Sequence, residues 1–264
     1  MGPRPRRVLV TLPVYNEAPR LEGCVRELVR VLDRAPEIYR LAIAEDGSTD
    51  GTQEIIAALT AEYPQLIVQS LRDRKGRGFA LKSLWSRVDA DVYAFTDVDL
   101  AVEPRSILAG VQSILRGADV VTGSRYVVGS VVRRPPLRST ISRSYNALIR
   151  LLFGDTIRDH QCGLKLFTRE ALDALLPRTS EDTWFWDTEI LLTAFVLGLS
   201  VQEIPVNWVE RKNPRTGLRR LASDVFLHGA GLIRLKGNLT TVHSLDSSLA
   251  GLSCRSVDPF PPEG

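Results

Sequence analysis

The amino-acid sequence predicts an α/β fold in which helices cover both faces of a mainly parallel central sheet. In the first half of the chain, short apolar runs alternate with longer stretches whose apolar residues recur at the spacing of an amphipathic helix. Strands that alternate with helices need crossover connections, which place the strands in parallel and the helices on the sheet faces. A polar turn follows each of the first four apolar runs, as expected where strands end at a sheet edge.

Five strands and four helices are predicted in order along the first half. The strands span 7–13, 41–44, 66–71, 92–96 and 118–123, and the helices between them span 17–34, 52–63, 79–88 and 104–115. The helix over 52–63 follows Ser48, Asp50 and Gly51, which are good turn and capping residues. Pro104 begins the helix over 104–115, and proline is favoured in the first helical turn.

The second half of the chain is less regular. Strands are predicted over 164–167 and 201–209, and helices over 140–153, 187–199 and 218–235. The helices over 140–153 and 218–235 are amphipathic, whereas the helix over 187–199 is strongly apolar and is expected to be buried. We expect one domain over 1–243, followed by a disordered tail over 244–264 that is rich in Ser, Gly and Pro.

Composition narrows the class of protein. The chain has 264 residues, of which 44% are hydrophobic, and this is enough for one domain with a full core. The formal net charge is only +3, which argues against a general nucleic-acid binder. The three cysteines, Cys24, Cys162 and Cys254, are far apart and indicate a reducing compartment without a disulfide framework or zinc site.

No signal peptide and no transmembrane segment are expected. The apolar run after the basic N-terminus covers only 8–14. The longest apolar stretch, 190–201, is shorter than the ~20 residues that a membrane-spanning helix needs. We therefore expect a cytoplasmic protein, either free or bound to the cytoplasmic face of a membrane.

The strongest local motif is Asp97-Val98-Asp99, where the chain leaves the fourth predicted strand. Two carboxylates that flank one residue can hold a hard divalent cation such as Mg²⁺ or Mn²⁺ against a diphosphate. The cation would neutralise charge on a departing nucleotide diphosphate. The alternative is a pair of solvated loop carboxylates, which is the commoner case for such a triplet taken alone.

Two further motifs follow the first and second strands. The acidic, glycine-containing segment 45–52 can accept hydrogen bonds from a ribose or base, or it can serve only as a turn and helix cap. In the segment 13–17, Tyr15 could stack on a base and Glu17 could accept from a base edge. Capping of the next helix would explain Asn16 and Glu17 equally well.

A basic loop with two glycines, 72–78, follows the third strand and enters a helix. Backbone N–H groups at a helix start can bind phosphate, so this loop is a candidate phosphate contact. A solvated run of charges is the simpler interpretation of the same residues.

Taken together, in this order and at these strand ends, the four motifs resemble those of the inverting family 2 glycosyltransferases, which have a GT-A fold with a Rossmann-like sheet. The resemblance covers about 7–236. Within that family, segments of the second half resemble the polyprenyl-phosphate branch, the dolichyl-phosphate mannose and glucose synthases. These segments are 123–125, the spacing of Arg138, Ser142 and Asn146, and the stretches 159–167, 186–191 and 203–208.

The resemblance implies a nucleotide-binding half over about 7–125 and an acceptor half over about 126–236. It implies that the nucleotide sugar contacts Pro13, Tyr15, Glu17, Asp46, Lys75, Asp97, Val98 and Asp99. Asp97 and Asp99 would hold Mg²⁺ or Mn²⁺, and Arg125, Arg138 and Ser142 would receive the acceptor phosphate. Two positions depart from the family pattern: Ala101 stands where mannose synthases often have a metal-binding Gln, and Glu45 replaces the first of two aspartates.

The implied reaction is inverting transfer of mannose or glucose, from GDP-mannose or UDP-glucose, to a polyprenyl or dolichyl phosphate. The expected catalytic residues are Asp99, Arg125 and Asp187. A lipid phosphate is already anionic and needs no general base to remove a proton. The alternative is transfer to a hydroxyl of a soluble glycan or small molecule, which needs a base, and Asp187 or Asp182 is the candidate.

Two other classes of function fit less well. A nucleotidyltransferase usually opens with a glycine-rich loop after its first strand, and the segment 13–17 has no glycine. A non-catalytic sugar-nucleotide binder has no need of the paired acids Asp97 and Asp99. The amphipathic helices over 140–153 and 218–235 could contact a membrane surface through their apolar faces, or these faces could pack on the sheet.

Overall fold

The computed structural model describes residues 6–35 and 37–210, together with Leu232 and Leu235. The chain divides into two compact units, 1–217 and 218–264, and the architecture below is that of the first. The predicted helix over 218–235 and the predicted tail over 244–264 lie outside the described residues, apart from these two leucines, which are helical and buried. The single-domain boundary at 243 therefore stays a prediction.

Nine strands and seven α-helices occur among the described residues. The strands are β1 (Arg7–Val14), β2 (Ile38–Glu45), β3 (Ile67–Ser70), β4 (Val92–Thr96), β5 (Val120–Ser124), β6 (Val131–Arg133), β7 (Leu164–Thr168), β8 (Val201–Pro205) and β9 (Asn207–Val209). The helices are α1 (Ala18–Leu32), α2 (Thr52–Glu62), α3 (Arg77–Trp85), α4 (Arg105–Leu115), α5 (Pro136–Phe153), α6 (Arg169–Leu175) and α7 (Trp186–Val196), with a 3₁₀ turn at Leu176–Arg178.

Seven strands form the central sheet, in the order β3-β2-β1-β4-β7-β5-β8. All neighbouring pairs are parallel except those of β7, which runs antiparallel to β4 on one side and to β5 on the other. The chain leaves β1 toward β2 but returns from β3 to β4 on the other side of β1. The carboxyl ends of β1 and β4 therefore flank a topological switch point, where open α/β sheets bind ligands.

Each face of the sheet carries its own hydrophobic core, because successive strand residues point to opposite faces. On one face, Val8 and Val10 of β1 pack with buried residues of α1, α2 and α4. On the other face, Leu9 packs with α3, α6 and α7. The predicted α/β architecture, with helices on both faces of a mainly parallel sheet, is confirmed.

An aromatic cluster fixes α3 and α7 on the second face. The Trp85 ring lies 5.8 Å from Tyr93, 5.8 Å from Phe167 and 6.0 Å from Trp186, centroid to centroid, in tilted arrangements. Its Nε1 donates a 2.9 Å hydrogen bond to Thr11 Oγ1 on β1. Buried indole N–H groups need such a partner, so this bond lets a large aromatic residue sit against the sheet.

The second half departs from the sequence prediction in several elements. The strand predicted over 201–209 is two strands: β8 ends at Pro205, which has no N–H for the ladder, and β9 pairs with β6 in a separate two-stranded sheet. Strand β6 and helix α6 were not predicted, because both are short. Helix α5 begins at Pro136 rather than 140, with proline in its first turn.

Among the described residues, no helix combines the length and the apolar character that crossing a bilayer requires.

Two leucines on helices allow a direct test of the first core. Leu28 of α1 has no exposed surface, whereas Leu151 of α5 is 82% exposed. We expect Leu28→Ala to lower the free energy of unfolding by about 2–5 kcal/mol, because it removes buried methyl groups and leaves a cavity. The matched control Leu151→Ala should change it by less than about 0.5 kcal/mol. Urea unfolding monitored by circular dichroism measures both, and equal effects would contradict this assignment of the core.

Candidate active site

The loops after β1 and β2 are joined to each other at the carboxyl edge of the sheet. Asn16 adopts a left-handed backbone conformation, with φ of 55°. Its N–H donates to Ser48 Oγ at 2.9 Å, and its own Oδ1 accepts from Thr49 N at 2.8 Å. Glu17 N donates to Thr52 Oγ1 at 3.1 Å. The two segments predicted to contact a nucleotide thus form one connected surface.

Asp46 anchors the basic loop that follows β3. Its carboxylate accepts hydrogen bonds from Lys75 N at 2.7 Å and from Gly76 N at 2.9 Å. Next to it, Gly47 has a φ of 70°, and a Cβ there would collide with the backbone of Asp73 and Arg74. The predicted nucleotide residues Asp46 and Lys75 therefore lie together, and Asp46 holds the loop through its backbone.

The predicted stacking residue Tyr15 lies beside the same loop. The guanidinium carbon of Arg74 sits 4.2 Å from the centroid of the Tyr15 ring, a cation–π contact. Glu17 is paired with Arg20 at 3.0 Å, one turn into α1. Pro13, in the last part of β1, is half-buried and pairs with Ala44 across the ladder. The structure brings these residues to one edge but gives Tyr15 and Glu17 basic partners of their own.

Asp97 and Asp99 follow β4, at the switch point. Asp97 N donates to Gly163 O at 3.2 Å, Asp99 Oδ1 accepts from Ala101 N at 3.0 Å, and Val98 is buried between them. Leu100 has a φ of 48°, a conformation that L-residues rarely adopt. Burial raises the pKa of Asp97 to about 6; the Arg77 guanidinium opposes this shift and the neighbouring Asp99 adds to it.

Arg77 lies in the loop 72–78 that the sequence marks as a candidate phosphate contact, but its role as a partner of Asp97 and Asp187 was not predicted. Its Nη2 lies 2.9 Å from Asp97 Oδ1, and its Nη1 lies 3.4 Å from Asp187 Oδ2. The guanidinium is sandwiched between the Phe95 ring at 4.7 Å and the Trp184 ring at 4.4 Å. A signal for it exists in the sequence, because a cation in the first turn of a helix opposes the helix dipole and so needs another partner.

Asp187 and Lys165 continue this network below the surface. Asp187 is 1% exposed, and its Oδ1 lies 3.8 Å from the Nζ of Lys165, which has no exposed surface. Lys165 Nζ donates to Cys162 O at 2.9 Å. Burial lowers the pKa of Lys165, and the Asp187 carboxylate opposes the shift. The candidate base Asp187 is therefore placed between two cationic side chains.

Arg125 follows β5 and is paired with Asp159, a residue that sequence reasoning did not single out. Nε and Nη2 of Arg125 donate to the two carboxylate oxygens of Asp159, each at 2.7 Å, and Arg125 N donates at 2.9 Å. Burial would raise the pKa of Asp159, but the Arg125 guanidinium outweighs it and holds the pKa below its ordinary value. Trp208 stacks on the same guanidinium at 4.7 Å.

The other two predicted acceptor residues lie on α5. Arg138 forms an ion pair with Glu210, and Arg134 pairs with the same carboxylate at 2.7 Å. Arg134 Nη1 also donates to Ser142 Oγ at 2.9 Å. Arg125 and Arg143 both lie 5.5 Å from the Tyr126 ring centroid. Four arginines therefore gather on the acceptor side: Arg125, Arg134, Arg138 and Arg143.

Cys162, Trp184 and Trp186 have packing roles near the site. Cys162 is fully buried, and burial raises the pKa of its thiol to about 12, so the thiol is unreactive. Trp186 is buried in the aromatic cluster. Trp184 is 47% exposed and covers Arg77.

The carboxylates at the end of β4 could hold a divalent cation. Among the described residues there is no group of three or more His, Cys, Asp or Glu side chains arranged to hold a metal. Mg²⁺ is usually held by one or two protein carboxylates together with substrate phosphates. Asp97 and Asp99, close enough for the charge of Asp99 to raise the pKa of Asp97, fit a cation that takes its remaining ligands from a diphosphate.

Comparisons with known proteins identify the family. Residues 9–176 match the family model "Glycosyl transferase family 2". Glycosyltransferase AglD of Haloferax volcanii is 38% identical over 88% of this chain, and the chain spans 37% of that protein's length.

Two further relatives have names that include a lipid-type acceptor or product. Dolichyl-phosphate beta-glucosyltransferase ALG5A of Trichomonas vaginalis is 30% identical over 82% of this chain and 71% of its own length. Polyprenol monophosphomannose synthase of Mycolicibacterium smegmatis is 30% identical over 78% of this chain and 79% of its own length.

The fold also matches a solved structure. Glucosyl-3-phosphoglycerate synthase from Mycobacterium tuberculosis, crystallised with Mn²⁺, UDP and its glucosyl product, superposes with a TM-score of 0.69 at 21% identity. The match covers 88% of this chain and 80% of that one. The chain belongs to glycosyl transferase family 2 and has the GT-A fold.

Proposed function

We propose that this glycosyltransferase transfers a hexose from a nucleotide sugar to a polyprenyl or dolichyl phosphate, with inversion at the anomeric carbon. One observation carries the proposal. The paired carboxylates Asp97 and Asp99 lie at the switch point of the sheet, and the acceptor side of the same unit gathers four arginines, three of which pair with Asp159 or Glu210. That side keeps an excess of positive charge for an anionic acceptor.

On the donor side, the connected loops after β1, β2 and β3 hold the nucleotide. Tyr15 contributes an aromatic face, and Lys75 lies in the loop that Asp46 anchors. Asp97 and Asp99 would hold Mg²⁺ or Mn²⁺, which would neutralise negative charge on the departing diphosphate. Arg77, already in contact with Asp97, adds a second positive group next to that charge.

On the acceptor side, a lipid phosphate arrives as an anion. Its difficulty is repulsion from the donor diphosphate, which arginine relieves through charge-assisted, partly bidentate hydrogen bonds. Both candidate bases for a hydroxyl acceptor already lie next to cationic side chains. Asp187 contacts Arg77 and Lys165, and Asp182 pairs with Lys82 at 2.8 Å. This favours the phosphate acceptor over the hydroxyl alternative.

The names of the relatives support a polyprenyl-phosphate acceptor, and they are compatible with either a glucose or a mannose donor. The name of one relative contains dolichyl phosphate and glucose, and that of the other contains polyprenol and mannose. The Mn²⁺ and UDP bound to the structural neighbour support a divalent cation here. A lipid acceptor also brings α5 to a membrane surface, where its exposed leucines, Leu137, Leu148 and Leu151, can contact lipid.

A donor screen tests the proposed function directly. Purified protein is incubated with polyprenyl phosphate, Mn²⁺ or Mg²⁺, and radiolabelled GDP-mannose or UDP-glucose. We expect label from one of the two donors to enter the organic phase. EDTA should prevent this transfer, because the diphosphate then lacks the cation that would neutralise its charge as it leaves. Label that reaches only a water-soluble glycan would support the hydroxyl alternative instead.

The paired acids can be tested by an isosteric change. We expect Asp99→Asn to lower the transfer rate by about 1,000-fold, because it removes a charge that holds the cation at the diphosphate. The control is Asp33→Asn, at an exposed position where α1 ends, near the opposite edge of the sheet. Rates at saturating substrate measure both variants, with circular dichroism to establish folding. Full activity of Asp99→Asn would remove the cation from the mechanism.

The acceptor arginines give a pair of opposite predictions. Glu210 pairs with Arg134 and Arg138, so Glu210→Gln removes the negative charge that competes with an incoming phosphate for these two guanidinium groups. We expect the KM for polyprenyl phosphate to fall severalfold in Glu210→Gln and to rise about tenfold in Arg138→Gln, since one charge-assisted hydrogen bond is lost. The donor KM serves as the internal control and should move in neither variant. Changes of the acceptor KM in the same direction would contradict the assignment.

A further inference from the structure

Lys165 is the one charged residue of β7 with no exposed surface, and neither the motifs nor the proposed mechanism uses it. A lysine ammonium is costly to bury unless its surroundings compensate it. Its neighbours do so: Nζ donates to Cys162 O at 2.9 Å and lies 3.8 Å from Asp187 Oδ1. Burial of the Lys165 ammonium group costs desolvation free energy, so we expect it to have a role in the neighbouring site around Asp97 and Asp99.

The charge of Lys165 acts on carboxylates at both ends of the site. It favours the ionised form of Asp97 on the donor side and that of Asp159 on the acceptor side. Asp187, its nearest carboxylate, also faces Arg77, which in turn contacts Asp97. Lys165 is therefore the buried cation shared by the cation-binding pair and the Arg125–Asp159 pair.

The two carboxylate oxygens of Asp187 face different cations, with Lys165 next to Oδ1 and Arg77 next to Oδ2. Within the described part of the chain, its Oδ1 accepts no hydrogen bond, although the atom is buried. The opposite oxygen faces Arg77 at 3.4 Å. Without the ammonium group, Asp187 has Arg77 as its remaining cationic neighbour and attracts that guanidinium away from Asp97.

Lys165 also forms a hydrogen bond to the Cys162–Gly163 turn, which contacts Asp97. Its hydrogen bond acceptor, the Cys162 carbonyl, directly precedes Gly163. The Gly163 carbonyl accepts from Asp97 N at 3.2 Å, and a Cβ on Gly163 would collide with the Asp97 carboxylate. Asp97 is therefore packed against a turn that Lys165 holds from below.

We propose that Lys165 is a positioning residue for the transfer reaction: it holds Asp187 in place from beneath the site and offsets part of the negative charge around Asp97 and Asp99. This inference rests on the proposed function for its kinetic consequence. Its electrostatic consequence is independent of the proposed function, because binding of a cation to the free protein also depends on the net charge around Asp97 and Asp99.

The first test measures Mn²⁺ binding to the protein alone, using the EPR signal of the free ion as the readout. In Lys165→Met, a change of similar length, the site loses one positive charge, so we expect the Mn²⁺ dissociation constant to fall about fivefold. Lys165→Arg keeps the charge and should stay near the wild-type value. A merely structural role predicts the opposite, since a distorted site binds the ion more weakly. Weaker or unchanged binding in Lys165→Met therefore overturns the proposal.

A charge-compensating double variant guards against a single variant that fails to fold. Asp187→Asn removes a negative charge and should weaken Mn²⁺ binding, and Lys165→Met/Asp187→Asn removes both members of the pair. We expect the double variant to return to within about twofold of the wild-type constant, because the net local charge is restored. A double variant that binds no better than Asp187→Asn contradicts the shared charge balance.

Kinetics separate this inference from the proposed function. We expect Lys165→Met to lower kcat by about 100-fold with little change in the donor KM, since Arg77 and Asp187 are displaced from their working positions. The matched control is Leu166→Val, the next residue on β7, which is buried in the first core and should keep wild-type kcat. A wild-type protein that binds Mn²⁺ but transfers no sugar contradicts the proposed function alone. An active Lys165→Met with wild-type Mn²⁺ binding contradicts this inference alone.

Discussion

A buried charge needs an opposite charge beside it, and the site of this protein is arranged around that constraint. From the carboxyl end of β4 inward, Asp97, Arg77, Asp187 and Lys165 follow one another with alternating sign. Asp159 and Arg125 continue the alternation on the acceptor side. No member of this series can be changed without altering the charge that its neighbours experience, so the proposed donor and acceptor sides of the site are electrostatically coupled.

The sheet topology makes that series possible. Strand β7 comes from the second half of the chain, yet it inserts antiparallel between β4 and β5. It thereby carries Lys165 and the Cys162–Gly163 turn under the acidic pair that the first half supplies. An entirely parallel sheet would have placed the start of this strand at the opposite edge, because parallel strands all begin at the same side. The one reversed strand is what joins the donor half to the acceptor half.

The sequence predicted the first half well because its signals are local. Helical periodicity and strand-end turns located β1 to β5 and α1 to α4 within a few residues, and the four motifs do meet at one edge. The partners of the charged residues could not be predicted in the same way. Asp159 lies 34 positions from Arg125, and Arg77 lies within the loop assigned to phosphate, far along the chain from its partner Asp187. The pairing of these charges depends on tertiary packing, and hydrophobic periodicity in the sequence does not report such long-range contacts.

Leu100 closes the turn that presents Asp99, and it does so with a backbone conformation usually left to glycine. Such a residue stores roughly 1–2 kcal/mol of conformational energy, which the surrounding fold must hold in place. A short peptide with the same sequence would relax and lose the spacing of its two acids. The proposed cation site would thus be a property of the whole folded domain, and transplanting the three-residue motif into another loop would not transfer it.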